Sequence, residues 1–398
     1  MLTRICAACL LVALASAVAA QKEKNDLPNK AGWDVEADAA ETFEGPFETE
    51  KSIPVAPQGA YFFPTTTSRY VAVTPPRTRD TYQVYDLVTM KEVGKPVVID
   101  KRFSTFVHPA LSPDGKHLAA RVKRDNTSAV EVWSVQTGKS VLKLDPEKED
   151  EVKPRYVDLL GKGRLWVAKH RSEFPKFTAR TTFQVFDVES GKETCKYTNP
   201  LVPLGKWHTF SGGGRYQFME QTGGWFLFLV WDTKTGKMVG EREFQGQKDT
   251  WGQAGGLAFS PDGTEMAMLW RLAKKPLWGR LLVFETKSGK KLYDHELNYD
   301  LIGQIDSLWH DGGTRCLQYW PGKRGWLLFG HLLLDRESGK VVHKIGTAPG
   351  FSGAIQDRRF LDGEHVTNVT GGFDRKIEVI KLPMKDIDAA VKKARAKE

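Results

Sequence analysis

The sequence contains few cysteines and, after its first twenty residues, no long apolar run. Four of the 398 residues are Cys, too few to hold together a disulfide-stapled module of this length. No stretch beyond residue 20 reaches the roughly 18 consecutive apolar residues of a membrane-spanning helix. With 40% hydrophobic and 27% charged residues, the composition is that of a globular protein, neither fibrous nor broadly disordered.

The common catalytic and metal-binding motifs are also missing after residue 20. The chain has no HExxH and no CxxC there, and Gly350-Phe-Ser-Gly353 does not have the GxSxG spacing of a serine hydrolase. It contains no phosphate-binding loop and no recognisable nucleophile–base pair. The sequence therefore predicts no cofactor and favours a non-enzymatic role.

Residues 1–20 have the pattern of an export signal. Arg4 supplies an early positive charge, and an apolar stretch that is too short to span a bilayer runs to about Leu14. Ala17-Val18-Ala19 then fits the small-x-small cleavage rule. This pattern predicts a signal peptide and a periplasmic or secreted mature chain; an uncleaved anchor is the alternative.

A polar turn between two alternating strands recurs about every fifty residues. Full copies are VEVWSVQTGKSVLKL from Val130 and LLVFETKSGKKLYDHEL from Leu281. Further copies begin at Phe183, Phe228 and Leu332, and degenerate ones at Tyr82 and Lys376. Equivalent turn positions are 45 to 53 residues apart, so the chain contains seven similar units.

Each copy has the chemistry of a β-hairpin. Apolar and polar residues alternate with period two on both sides of the turn. The Gly of Thr-Gly-Lys or Ser-Gly-Lys suits the left-handed backbone conformation that closes such hairpins, because a Cβ would be strained there. Met90 replaces that Gly in the first copy, so we expect a differently shaped turn at that position.

A second type of turn precedes several of the hairpins. Ser112-Pro-Asp-Gly115 and Ser260-Pro-Asp-Gly263 predict tight reversals, and weaker versions lie at His310–Gly313 and Phe360–Gly363. Each unit therefore contains four antiparallel strands. Seven such units predict an all-β fold, a seven-bladed β-propeller.

The PDGK turn followed by a hairpin of the type VxVWDxxTGK resembles the repeats of bacterial exported WD40-like (YVTN-type) β-propellers. The resemblance extends over roughly residues 41–383. It implies the propeller fold and, with it, a binding or scaffold role. Trp231-Asp232 keeps the Trp-Asp pair of WD40 repeats, which most of the other copies lack.

The predicted organisation has four parts. Residues 1–20 are the signal peptide, residues 21–40 a flexible acidic segment, residues 41–383 the propeller and residues 384–398 a helical tail. The last unit lacks an outer strand, and an open sheet edge is a liability. We therefore expect the segment Glu41–Ile53 to pair beside Lys376–Lys381 and to close the ring.

The net charge of +9 is concentrated in the loops that follow the second strand of each unit. These loops gather on one side of a propeller, called the loop face below, and carry fifteen Lys or Arg against four Asp or Glu, interleaved with aromatic residues. Such a surface suits an anionic or protein partner, with a merely solvated face as the alternative. The candidate ligand-binding residues are Arg171, Lys176, Arg180, Arg271, Lys274, Lys275, Trp278, Arg280, Trp320, Lys323 and Arg324.

Three histidines and two cysteines complete the candidates. His108, His208 and His310 fall on or near predicted innermost strands, where they would be either metal ligands or ordinary strand-end histidines. Cys195 and Cys316 fall in blades on opposite sides of the ring, so we expect two unpaired, buried thiols.

Together these features predict an exported, monomeric binding or scaffold propeller that engages an anionic or protein partner through its loop face. Neither a nucleic acid partner nor a membrane span is expected. The alternative is a propeller enzyme, a hydrolase, lyase or quinone-type oxidoreductase, with a site at the mouth of the central channel.

Overall fold

The computed structural model of this chain describes residues 32–43, 45–55, 60–61, 69–78, 80–99, 109–124, 127–144, 153–173, 178–199, 208–221, 226–244, 252–272, 279–297, 317–319, 325–329, 332–345, 361–370 and 375–396. Seven antiparallel sheets lie within these residues and form the blades of a β-propeller, which confirms the predicted fold. Six blades have four described strands in sequence order, and the seventh has three. No helix in this part of the chain is long and apolar enough to cross a membrane.

The strands are numbered along the chain. Blade 1 contains β2 (Ala60–Tyr61), β3 (Tyr70–Val73), β4 (Thr81–Asp86) and β5 (Lys91–Val98). Blade 2 contains β6 (Ala110–Leu111), β7 (His117–Arg124), β8 (Thr127–Ser134) and β9 (Ser140–Leu144). Blade 3 contains β10 (Lys153–Leu160), β11 (Arg164–Glu173), β12 (Thr178–Asp187) and β13 (Glu193–Asn199). Blade 4 contains β14 (His208–Phe210), β15 (Tyr216–Gln221), β16 (Phe226–Asp232) and β17 (Met238–Phe244).

The second half of the ring follows the same order. Blade 5 contains β18 (Gly252–Phe259), β19 (Glu265–Leu272), β20 (Gly279–Glu285) and β21 (Lys291–Leu297). Blade 6 contains β22 (Leu317–Tyr319), β23 (Trp326–Phe329), β24 (Leu332–Asp335) and β25 (Val341–Lys344). Blade 7 contains β26 (His365–Thr370), β27 (Arg375–Lys381) and the N-terminal strand β1 (Ser52–Val55).

The core lies between the blades, because both faces of the inner strands are buried. In β20, Leu281 and Val283 pack into a cluster shared with blade 6. Leu282 and Phe284, on the opposite face of the same strand, pack into a cluster shared with blade 4. Apolar clusters of this kind join every neighbouring pair of blades, including blades 7 and 1. This explains why runs such as Leu-Leu-Val-Phe are apolar at consecutive positions rather than alternating.

The hairpin turns confirm the role of their glycines but correct the expectation for Met90. Gly138, Gly191 and Gly236 have φ values of 68°, 67° and 70°. Met90 has φ 54°, and its backbone N–H donates to the carbonyl of Asp86 at 2.7 Å, the bond that the glycines make in the other turns. The turn is therefore not differently shaped. Burial of the Met90 side chain, which is 7% exposed, offsets the strain of the left-handed backbone.

The N-terminal strand closes the ring as predicted, over a different range. β1 pairs antiparallel with β27, from Ser52 opposite Glu378 to Val55 opposite Arg375. The predicted segment began at residue 41, but residues 45–51 are not in a strand. Phe43 and Phe47 instead pack beside the apolar cluster between blades 7 and 1, which takes this part of the chain out of the sheet edge.

The C-terminal residues form a helix, α1 (Met384–Arg395), that packs against blades 6 and 7. Ile387 is fully buried, in contact with a cluster that includes Trp326 and Val342. Arg395 at the end of the helix forms two hydrogen bonds to Asp335, at 3.1 and 2.7 Å. The helix is thus attached to blade 6 by apolar contacts and by an ion pair.

Cys195 is a free thiol, 8% exposed, beside the turn glycine Gly236 of the next blade. Burial raises the pKa of this thiol above its ordinary value, as do the nearby carboxylates of Asp232 and Glu193. Cys316, the other cysteine of the prediction, lies outside the described residues.

The closing strand provides a first test of the fold. Ile53 is 1% exposed within the cluster between blades 7 and 1. We expect Ile53→Ala to lower the free energy of unfolding by about 2–4 kcal/mol, because it removes buried carbon at the seam of the ring. Denaturant unfolding measures this, with Ser52→Ala, an exposed position of the same strand, as the control. Equal stability of the two variants would contradict a closing role for β1.

The ion pair of the C-terminal helix predicts a pH dependence. Burial would raise the pKa of Asp335, but hydrogen bonds from Arg395 and Ser338 outweigh it and hold that pKa below its ordinary value of 3.8. The stabilisation is therefore complete above pH 3.8 and is lost as the pH falls through the lower folded pKa. Arg395→Ala should cost about 1–3 kcal/mol of unfolding free energy at neutral pH.

The same comparison well below pH 3.8 should show a smaller difference between wild type and Arg395→Ala, since Asp335 is protonated in both. Lys393→Ala, an exposed cation of the same helical turn, is the matched control. A difference that stays constant across this pH range would show that the Arg395–Asp335 pair does not stabilise the fold.

Candidate functional site

The structure describes four of the eleven predicted ligand-binding residues. Arg171 and Arg180 lie near the ends of β11 and β12, at the loop face, and Arg271 and Arg280 lie in β19 and β20. The other seven lie outside the described residues: Lys176, Lys274, Lys275, Trp278, Trp320, Lys323 and Arg324.

Blade 3 carries the longest described hairpin at the loop face. β11 and β12 each have ten residues and pair along their whole length, up to Glu173 opposite Thr178. In this register Arg171 and Arg180 are direct cross-strand partners. The register thus places two basic residues at one cross-strand position of this hairpin end.

Arg280 has a partner within its own blade. Its Nε and Nη2 donate to the two carboxylate oxygens of Asp294 at 2.8 and 2.6 Å, and Lys291 contacts the same carboxylate. Burial would raise the pKa of Asp294, but these two cations lower it below its ordinary value. The charge of Arg280 is therefore compensated within its own blade.

Of the three candidate histidines, the structure describes His208. Its Nε2 lies 3.4 Å from a carboxylate oxygen of Asp158, and its ring packs 4.8 Å from Trp166 and 5.4 Å from Tyr156. His108 and His310 lie outside the described residues. Among the residues that the structure describes, no three His, Cys, Asp or Glu side chains lie together as a metal site would need. His208 thus joins blades 3 and 4 through a carboxylate and aromatic rings.

A different feature dominates the opposite side of the ring, called the turn face because it carries the turns between first and second strands and between third and fourth strands. Residues 33–43, called the strap, run along this face outside any sheet. Trp33 Nε1 donates to the carbonyl of Thr286 at 2.7 Å. The backbone N–H of Asp34 donates to the carbonyl of Val239 at 2.7 Å. Val35 is 1% exposed in the cluster between blades 4 and 5. Residues 33–35, which fall within the segment 21–40 that composition predicts to be flexible, thus pack against blades 4 and 5.

Asp38 of the strap completes a turn of blade 4. In blades 2 and 5 the Asp of Ser-Pro-Asp-Gly accepts from its own Ser hydroxyl, at 2.6 Å in both cases. It also accepts from the backbone N–H two residues further on, at 3.1 and 3.0 Å. The equivalent turn of blade 4 is Ser211-Gly-Gly-Gly214, which has no Asp.

In that turn the carboxylate comes from the strap. Asp38 Oδ2 accepts from the Ser211 hydroxyl at 2.5 Å and from the backbone N–H of Arg215 at 2.9 Å. A Cβ on Gly213 would lie 2.3 Å from Asp38 Oδ1, so a side chain at this turn position and the strap carboxylate exclude each other. The strap therefore supplies a group that blades 2 and 5 supply locally.

A cavity of about 970 Å³ lies at the turn face. It is lined by residues 38–43 of the strap and by residues of blades 1 to 4. Six Lys or Arg and four Asp or Glu line it. The lining cations are Arg69, Lys116, Lys162, Arg164, Arg215 and Lys234.

The hydrogen bonds of the Arg164 guanidinium go to uncharged acceptors. Its Nε donates to the carbonyl of Gly161 at 3.1 Å, its Nη1 to Thr233 Oγ1 at 3.1 Å and its Nη2 to the carbonyl of Gly213 at 3.3 Å. All three acceptors are neutral. Burial lowers the pKa of this guanidinium from its ordinary value, and the more distant carboxylates of Asp38 and Asp232 offset that shift only in part.

Sequence reasoning missed this cavity. One signal in the sequence was available: the turn Ser211–Gly214 keeps the Ser and the final Gly of the other turns but lacks their Asp. That missing acceptor indicates that a carboxylate must come from elsewhere. The signal does not say which of the 49 Asp and Glu residues supplies it.

Moving the carboxylate from position 38 of the strap to position 213 of the turn tests the role of Asp38. Asp38→Ala should lower the free energy of unfolding by about 1–3 kcal/mol, because the Ser211 hydroxyl and the backbone N–H of Arg215, both part-buried, lose their acceptor. The double variant Asp38→Ala with Gly213→Asp should regain much of this loss, since it restores the Ser-x-Asp-Gly turn and removes the atoms that would clash at position 213. Thermal unfolding of both variants measures the rescue.

Gly213→Asp in the wild-type background is the control, and it should destabilise the protein because Asp38 occupies the space. Equal stability of the single variant Asp38→Ala and the double variant would show that Asp38 does not act in place of a turn aspartate.

Comparison with known proteins supports the fold. No family model and no curated protein sequence matches the chain. Among solved structures, a chain of the mitotic checkpoint complex aligns with a TM-score of 0.51 at 10% identity, over 89% of this chain and 100% of that chain. The dihydro-heme d1 dehydrogenase NirN aligns with a TM-score of 0.46 at 13% identity, over 89% and 78%. TolB from Acinetobacter baumannii aligns with a TM-score of 0.34 at 14% identity, over 58% and 52%.

Proposed function

We propose that this chain is an exported binding propeller that engages an anionic or protein partner through its loop face. The proposal of export rests on residues 1–20, whose sequence has the pattern of a signal peptide. The proposal of binding rests on the fold, since propellers commonly present loops from several blades to one partner. The chemistry of the partner is inferred from the charge of the loops.

The observation that carries the proposal is the pairing of Arg171 with Arg180. These two residues are direct cross-strand partners at the end of the longest described hairpin. Stability alone would favour an opposite or neutral charge at one of the two positions. A planar guanidinium recognises carboxylate, sulfate or phosphate groups through parallel hydrogen bonds, so two arginines at one cross-strand position suit a partner with repeated anionic groups.

The loop sequences of the other blades extend the same chemistry. The segments at residues 123–128, 271–280 and 320–326 each carry at least two Lys or Arg. An anionic polymer or an acidic protein surface can contact several loops at once, whereas a small anion would meet only one. Summed weak contacts give such a complex its affinity and make it sensitive to salt.

The double variant Arg171→Ser, Arg180→Ser tests this function. We expect its affinity for dextran sulfate, an anionic polymer used as the probe, to fall about tenfold at low salt, because each lost ionic contact contributes about 0.5–1 kcal/mol. Calorimetric titration measures the change, and thermal unfolding verifies that the variant folds.

The matched control removes two cations from the turn face, by Lys139→Ser with Lys192→Ser. Both lysines are exposed. If the loop face is the binding surface, this control should bind the polymer nearly as wild type does. An equal loss of affinity in the two double variants would mean that polymer binding depends only on the net charge of the protein, and would overturn the proposal.

A further inference from the structure

We propose a second binding site, for a small anion that carries a carboxylate or phosphate group, in the cavity that the strap helps to line on the turn face. This site is independent of the loop-face function. It lies on the opposite side of the ring, and its walls consist of residues that the structure describes. Its volume of about 970 Å³ is at the upper end of the range for small-molecule pockets.

Arg164 is the proposed anchor for the anion. Three of its five N–H groups are held by neutral acceptors on blades 3 and 4, which fixes the guanidinium in the cavity wall. The remaining donors have no carboxylate partner among the described residues. A cation that has lost part of its hydration and has no contacting anion is poised to bind one.

The carboxylates nearest to Arg164 are engaged elsewhere. Asp38 accepts from Ser211 and from the backbone of Arg215. Asp232 accepts from the Arg215 side chain at 3.1 Å and from the backbone N–H of Lys234 at 2.7 Å. Neither is free to turn towards Arg164 without breaking hydrogen bonds that hold the strap or the turn.

Two further cations complete the site. Lys162 and Lys234 line the same cavity. Lys162 has φ 62°, the left-handed conformation that usually selects Gly. The backbone of Lys162 is therefore strained, next to Gly163, which also has a positive φ of 64°.

The strap contributes one part of the lining of the site. Its residues 38–43 line the cavity, and the backbone N–H of Ala40 is anchored to the carbonyl of Pro261 at 2.8 Å. A volume of about 970 Å³ suits a small molecule with one or two anionic groups.

Calorimetric titration of the full-length protein with inorganic phosphate, pyrophosphate and citrate tests the site. Wild type is expected to bind at least one of the three, and the order of affinities shows whether the site prefers phosphate or carboxylate. Arg164→Gln, which keeps a polar side chain but removes the charge, should weaken that binding at least about tenfold. Failure of wild type to bind any of the three probes in the millimolar range would overturn the proposal.

Lys162→Gly is a second variant that does not endanger folding, because the residue is exposed and Gly relieves the backbone strain. It should weaken binding about two- to fivefold. Lys192→Gln, an exposed lysine of a blade 3 turn outside the cavity lining, should leave binding unchanged. Wild-type affinity in both cavity variants would refute the site.

The loop-face variant Arg171→Ser, Arg180→Ser separates the two proposals. It should bind the small anions as wild type does, even though it loses the polymer. Loss of small-anion binding in this variant would place the anion on the loop face and overturn the cavity site. Loss of polymer binding in Arg164→Gln would leave the cavity site standing and would contradict the loop face as the polymer surface.

Discussion

The packing of each blade against both of its neighbours is the constraint on which the rest of the structure depends. Strand β20 presents Leu281 and Val283 to one neighbour and Leu282 and Phe284 to the other, so both faces of this strand are buried against other blades. A blade of this kind has no stable state outside the ring, since its apolar surface would be exposed on both sides. Closure is therefore a condition of folding, and it explains why a strand from the other end of the chain completes blade 7.

The two terminal segments show how sequence outside the repeats serves this ring. The helix α1 covers apolar residues between blades 6 and 7, and the strap does the same between blades 4 and 5. Each segment also supplies one charged group to a turn of a blade: Arg395 to the turn at Asp335, and Asp38 to the turn at Ser211. Some turns of the repeats thus depend on hydrogen bonds from residues at the two ends of the chain, which the regular spacing of the repeats does not indicate.

The sequence was enough to predict the propeller, because hairpin turns and period-two strands are local patterns that repeat seven times. It was not enough to predict the turn at Met90, where a buried side chain and a backbone hydrogen bond to Asp86 outweigh the preference for Gly. Nor could it place the cavity, which depends on Asp38 meeting a turn 173 residues away in the chain. Contacts between residues so far apart in the chain produce no regular spacing in the sequence from which they could be predicted. The basic loop face was visible from composition, and the register of Arg171 with Arg180 adds a geometric reason to it.

The pairing of β1 with β27 also sets an order of events during synthesis. Ser52–Val55 emerge early, but their partners at residues 375–378 are made more than three hundred residues later. Until then Ile53 and Val55 have no sheet to join, and blades 7 and 1 have no common seam. Individual hairpins can form as they are synthesised, whereas the ring can close only after β27 has been made. A chain that stalls or is cut before β27 leaves an open arc with an apolar blade face at each end, which is the kind of surface that chaperones and proteases recognise.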